Sequence, residues 1–181
     1  MSNNNPSFEH FLEKFPEVEL PVTLGEDSHL QFSKSNEPLN KLLIENFILP
    51  IEDEPIDEFT EFLACFKVPQ TYEFHAIIYW RASLMNYQYN LVTFTKKGLL
   101  IDKRVIGGTF SDGEVLTNSM ATIDEDWVIF VVSGQASSSE SAYDAKMIMN
   151  TNKIVVYYFL IEIGQNPNPL IDIIFTKIIC S

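Results

Sequence analysis

At Phe62 the spacing of apolar residues changes from the threes and fours of helices to the twos of strands, and alternation then persists almost to the end of the chain. The clearest segment is Glu73 to Ala82. Phe74, Ala76, Ile78, Trp80 and Ala82 form an unbroken apolar row, while Glu73, His75, Ile77, Tyr79 and Arg81 point the other way. That is the pattern of a half-buried antiparallel strand. Tyr87 to Thr95 follows after the short connection Ser83 to Asn86, which sets Trp80 opposite Tyr89 and Ile78 opposite Leu91 and keeps one core face across the hairpin.

The remaining strands are punctuated by turn residues. Lys96-Lys97-Gly98 offers a positive φ at Gly98 before Leu99 to Ile106, Gly107-Gly108 reads as a break or bulge, and Ser111-Asp112-Gly113 turns into Val115 to Ile123. Trp127 to Val132 and Ile154 to Ile163 are apolar on both faces, as strands inside a sheet are. Asn150-Thr151-Asn152 reads as a hairpin turn from Asp144 to Met149, and Leu170 to Ile179 supplies the last strand. Strands joined by hairpins, without alternating helices, exclude a parallel sheet. The expectation is an α+β chain, mainly antiparallel β: a twisted meander curling into an open barrel or a sandwich.

Two short helices precede it. Phe8, Phe11, Leu12 and Phe15 make one apolar stripe ended by Pro16, and Leu39, Leu42, Leu43 and Phe47 make another, with Pro38 at the first helical position and Pro50 at the end. Helices this short are unstable alone in water, so their phenylalanines and leucines dock on the body or on a partner. Val18 to Leu24, around Pro21, reads as an extended edge or linker. A length of 181 residues with 46% hydrophobic and 20% charged suits a single domain, with residues 1–62 as an acidic, partly helical segment on a β-rich body at 63–181.

Charge narrows the partners. Residues 1–62 hold 14 acids against three lysines, a net of -11 within a total of -13, which disfavours nucleic acid and anionic membrane surfaces and favours a basic protein. No apolar run is long enough to span a bilayer as a helix. Met1 to Pro6 has no signal-like pattern, so the expected location is the cytoplasm, or outside it for a chain whose signal has been removed. Cys65 and Cys180, each in an apolar run, read as ordinary buried thiols before they read as a disulfide.

Catalytic signatures are absent: no nucleophile elbow, no phosphate-cradling glycine loop, and His10, His29 and His75 stand alone, so neither a metal nor a cofactor is expected. Asp112-Gly113-Glu114 and Asp124-Glu125-Asp126 read as turns and lack calcium-loop spacing. The best ligand-binding set is Glu73, His75, Tyr79 and Arg81 with Gln88 and Asn90 from the next strand, since these groups can orient a small polar molecule; the plainer reading is a solvated sheet face. Gly134 to Ser141 is a connector or a binding lip. Glu52, Asp53, Glu54, Asp57 and Glu58 form the candidate partner-binding loop, against the plainer reading of a solvated turn.

FLEKFPEVELP and YNLVTFTKKGLLIDKRVIGGTFSDG together resemble a loose group of uncharacterised bacterial β-rich proteins, in which a Phe-Pro start precedes hairpins of this form. The resemblance implies a small β-rich protein and carries no activity. The leading expectation is a non-enzymatic interaction protein with an acidic surface, of the immunity-inhibitor type. The alternatives are a small-ligand-binding barrel or hydrolase-like enzyme using the Glu73/His75/Tyr79/Arg81 face, and an exported surface protein.

Overall fold

The computed structural model describes residues 6–84, 86–137, 154–161 and 173–180, with backbone alone for 135–137 and the last two stretches. Its strands are β1 (Val22–Leu24), β2 (Glu61–Lys67), β3 (Phe74–Ser83), β4 (Asn86–Thr95), β5 (Leu100–Ser111), β6 (Val115–Ile123), β7 (Val128–Ser137), β8 (Ile154–Ile161) and β9 (Ile173–Cys180). Hydrogen-bonding order follows chain order from β2 to β9, with β1 beside β6. β1 with β6, β2 with β3, and each successive pair from β5 to β9 are antiparallel. The chain is therefore mainly antiparallel β with short helices, and its sequential pairing is that of a meander.

Contacts divide the chain into two compact units that do not follow the change of pattern at Phe62. One comprises Met1–Glu19, Asp27–Leu84 and Tyr89–Val105, the other Leu20–Glu26, Met85–Gln88 and Ile106–Ser181.

In the first unit the sheet is covered on both faces, which revises the half-buried reading of β3. Ile77, Tyr79 and Arg81, assigned by alternation to a solvated face, are as buried as Phe74, Ala76 and Ile78. The cover on the Ile77/Tyr79 side is α1 (Phe8–Leu12), α3 (Lys41–Leu43) and the residues that follow each: Phe11, Phe15, Leu43 and Ile48 pack with Ile77, Tyr79, Val92 and Phe94. Tyr79 and Arg81 fit a solvated face and a roofed face equally well, so alternation could not tell them apart.

A third helix, α2 (Ser28–Ser35), has no counterpart in the sequence reading, because it buries no side chain fully and has no strong apolar stripe. It is held by the His29 ring stacked on Trp80 at 4.5 Å, by Phe32 against Phe66, and by Asn36, whose side-chain amide donates to the carbonyls of Ala64 (2.8 Å) and Cys65 (2.6 Å). Those carbonyls flank the point where the β2/β3 register slips between Ala64 and Phe66. Asn36 thus closes α2, and the next helix opens at Asn40 and not at Pro38: the Asn40 side chain accepts from Leu43 N at 3.0 Å. After α3 the turn widens to a π-helix over Ile44–Ile48 and tightens to a 3-10 turn at Leu49–Ile51. The wide turn brings Ile48 into the core, while Leu42, expected on the apolar stripe, is exposed.

In the second unit Leu24, Ala121 and Val131 align across β1, β6 and β7 with Ile123 and Ile129, all buried. Three boundaries differ from expectation. β5 continues through Gly107-Gly108, with Gly108 at φ +131 and a Cβ there falling 1.9 Å from the Tyr87 carbonyl oxygen. Trp127 belongs to the turn before β7, at φ +62, where the Asp124 carboxylate accepts from Asp126 N and Val128 N. β7 runs to Ser137, which takes the first half of Gly134 to Ser141 into a strand. Residues 138–141 and the hairpin expected over 144–152 lie outside the described residues.

Candidate functional site

The most chemically loaded place in the first unit is under the loop of residues 52–60. Arg81, in the apolar stretch of β3, needs a partner because an unpaired buried charge is strongly disfavoured. It finds Glu52. Arg81 Nε lies 3.0 Å from Glu52 Oε2, with side chains only 1% and 2% exposed. Beyond this ion pair Arg81 donates hydrogen bonds through Nη1 to Glu54 (3.0 Å) and Ser83 Oγ (3.2 Å), and through Nη2 to the Pro55 carbonyl (2.8 Å). From β5, Lys103 Nζ donates to Glu52 Oε1 (3.0 Å) and to the Ile51 carbonyl (3.1 Å). The Tyr79 hydroxyl donates to the same Glu52 oxygen. Burial first, and then the negative charge of Glu52, push the Tyr79 phenol far up, so it stays a protonated donor.

This cluster fastens the chain between the 3-10 turn and β2. Asp57 then organises the loop itself: its Oδ1 accepts from Phe59 N (3.0 Å) and Thr60 Oγ1 (2.8 Å), and its own N–H donates to Thr60 Oγ1 (3.0 Å). These bonds, that from the Thr60 hydroxyl foremost, hold the Asp57 carboxyl below the ordinary carboxylate range. Outside stand Ile56, Phe59 at 67% exposure, Asp53 at 90%, Asp57 and Glu58.

The five loop acids therefore separate into two groups. Glu52, buried, and Glu54, 43% exposed, pair with Arg81, while Asp53, Asp57 and Glu58 face solvent. Asp53 also lies 3.7 Å from Lys103, a contact of little energetic weight at such exposure.

The six residues of the polar strand face are not gathered into one site. Tyr79 and Arg81 share Glu52. Glu73 is exposed just before β3 begins, and His75 lies six residues from Arg81, about 20 Å along the strand. Gln88 is half-buried, in the second unit. Asn90 is fully buried, and among the described residues neither its side-chain nitrogen nor its oxygen has a hydrogen-bond partner. Sequence reasoning missed Lys103 and the inward turn of Glu52. The signal was Arg81 itself, a charge in an otherwise apolar Ile77–Ala82 run.

Cys65 is a free, buried thiol whose ionisation is pushed up by burial. Among the described residues no three His, Cys, Asp or Glu side chains are grouped to hold a metal ion, and no helix is long and apolar enough to cross a membrane. No protein-family model matches the chain, and no curated protein or solved structure is detectably similar to it.

Proposed function

We propose that this chain is a non-enzymatic interaction protein that docks a basic partner through the loop of residues 53–59, in the manner of an immunity-type inhibitor. One observation carries the reading: an apolar pair, Ile56 and Phe59, is held out to solvent among Asp53, Asp57 and Glu58 on a loop anchored from below by a buried ion cluster. Large exposed apolar side chains on an ordered loop supply contact area with little ordering left to lose on binding. The surrounding acids steer a cationic protein and set its register.

The test is photo-crosslinking from position 59 in cells of the source organism, with captured proteins identified by mass spectrometry. The captured proteins should be basic. Purified partner should bind Asp53→Asn/Glu58→Gln more than tenfold more weakly, since each rim charge contributes up to about 1 kcal/mol, and Phe59→Ser should weaken binding further. Neutral partners, or equal affinity of the native and neutralised proteins, would remove the proposal. Glu52 and Glu54 are left intact in this experiment because their loss would report on the anchor.

A further inference from the structure

In the second unit the sheet has a buried side and an open one. Leu24, Ala121, Ile123, Ile129 and Val131 share the buried side, and the alternate positions point the other way. There the antiparallel register sets Met120 opposite Val132, Thr122 opposite Phe130 and Asn118 opposite Gly134. Residues directly opposite share a face, so these form one surface. Met120 and Val132 are 49% and 47% exposed, and Leu116, in the same row as Met120, is 39% exposed. Gly134 leaves room beside Val132 for a facing side chain, since an added Cβ would meet nothing among the described residues within 4 Å.

Charge is missing from this surface. β5 extends it with Thr109 and Ser111, opposite Asn118 and Leu116, and no charged residue occupies it among the described residues. Lys177, the single charged residue of β8 and β9, is in register with Tyr157 and so with Val131, on the alternate positions. Acids stand instead at the two ends: Asp112 and Glu114 in the turn before β6, Glu125 and Asp126 in the turn after it, all exposed.

We infer that this face packs against the same face of a second copy of the chain, as two sheets stacked about 10 Å apart around a two-fold axis. Charge selects the second copy. Two chains of net charge -13 repel in most orientations, and an uncharged face is where they meet without bringing acids together at the centre. Extent allows it as well. β5 to β9 lie side by side at about 4.8 Å and run about eight residues at about 3.4 Å each, a plan area on the order of 600 Å² before side-chain relief is counted. Stable complexes bury about 800 Å² on each partner.

The acidic ends set the strength. With the two-fold axis lying between the sheets, along the strands or across them, an acidic turn of one copy comes over an acidic turn of the other. Salt screens that repulsion and leaves the apolar contact in place, so the dimer tightens as salt is raised. Capture of a basic partner by the loop of residues 53–59 runs the opposite way, because salt weakens attraction. Anionic headgroups would meet the same acidic ends, which disfavours a lipid surface as the occupant.

The experiment is sedimentation equilibrium of the full chain up to about 0.5 mM, at about 20 mM and about 500 mM sodium chloride. A monomer–dimer equilibrium should appear and should tighten about threefold or more at the higher salt. Val132→Lys and Met120→Lys should each weaken it about tenfold or more, since each sets two ammonium groups into an apolar contact. Leu99→Lys, at an exposed residue of the first unit, should leave it unchanged. Should the lysine variants fail to fold, Met120→Ser keeps the face neutral and should weaken the dimer by a smaller factor. A monomer throughout, an assembly larger than two, a dimer that fails to tighten with salt, or one indifferent to Val132→Lys and Met120→Ser would overturn the inference. So would flotation of the native chain, and not of Val132→Lys, with vesicles of phosphatidylcholine and phosphatidylglycerol, which would give the face to lipid.

Discussion

Arg81 and Glu52 face each other at 3.0 Å almost wholly out of water, one from the middle of a strand and the other from the entry to the exposed loop. Removing either partner leaves the other buried and under-paired, so Arg81→Met and Glu52→Gln should each cost about 3–5 kcal/mol. Urea unfolding should show the double variant to be less damaging than the two single losses added together. Additive losses would mean that the pair is not one energetic unit.

Asn90 gives an opposite expectation. Its amide is buried with no hydrogen-bond partner for either polar atom among the described residues. Asn90→Leu, nearly equal in shape, should therefore raise unfolding free energy by about 1–2 kcal/mol, the usual penalty of a buried unsatisfied group. Asn36→Leu should lower it by a similar amount, because Asn36 serves two carbonyls at the β2 irregularity. A fall for both variants would show that Asn90 is bonded, for instance through an internal water.

The fold class and most strand positions are legible in the sequence because alternation and turn chemistry act over a few residues. Gly98 does take a positive φ, and β6 runs over Val115–Ile123 as its pattern indicates. What alternation cannot carry is which elements roof a given face. Alternation puts Tyr79 and Arg81 toward solvent, but amphipathic side chains suit either environment, and only the packing of Phe11, Leu43 and Ile48 above the sheet decides between them. The acids were legible as a group. Their division into Glu52 and Glu54, paired with Arg81, and the outward Asp53, Asp57 and Glu58 depends on Arg81 and Lys103, which lie 29 and 51 residues beyond Glu52 in the sequence.

Two glycines of positive φ separate strain from crowding. At Gly113 nothing among the described residues lies within 4 Å of an added Cβ, whereas at Gly108 the Tyr87 carbonyl oxygen stands 1.9 Å away. Gly113→Ala should cost about 1 kcal/mol for its backbone conformation alone. Gly108→Ala should cost about 3 kcal/mol or more, as strain and overpacking add. Thermal unfolding of the two variants side by side measures the gap, and comparable losses would show that the strand yields at Gly108.

The His75 imidazole titrates below its ordinary value, held there by burial and by Lys96 and Lys67, with Glu9 opposing. The unfolded chain therefore takes up a proton at a higher pH than the folded chain. As pH falls through the ordinary imidazole value near 6.5, stability should decline, and the decline should level once the folded imidazole is also protonated. His75→Phe should remove that slope. An unchanged slope in the variant would assign it to another group.

The wide turn at Ile44–Ile48 amounts to one residue more than a regular helix requires between Leu43 and Ile48. Five steps around a π-turn and four around an α-turn both bring a side chain back to nearly the same azimuth. Excising Asn46 would thus convert the segment to ordinary helix and still deliver both Leu43 and Ile48 to the interior, with the 3-10 turn following as before. Chain length here is slack that the architecture has absorbed, while the identity of the two flanking aliphatic residues is not. Related chains one residue shorter at this place would remain superimposable on this one, and an alignment that forbids a gap there would misregister everything upstream of it.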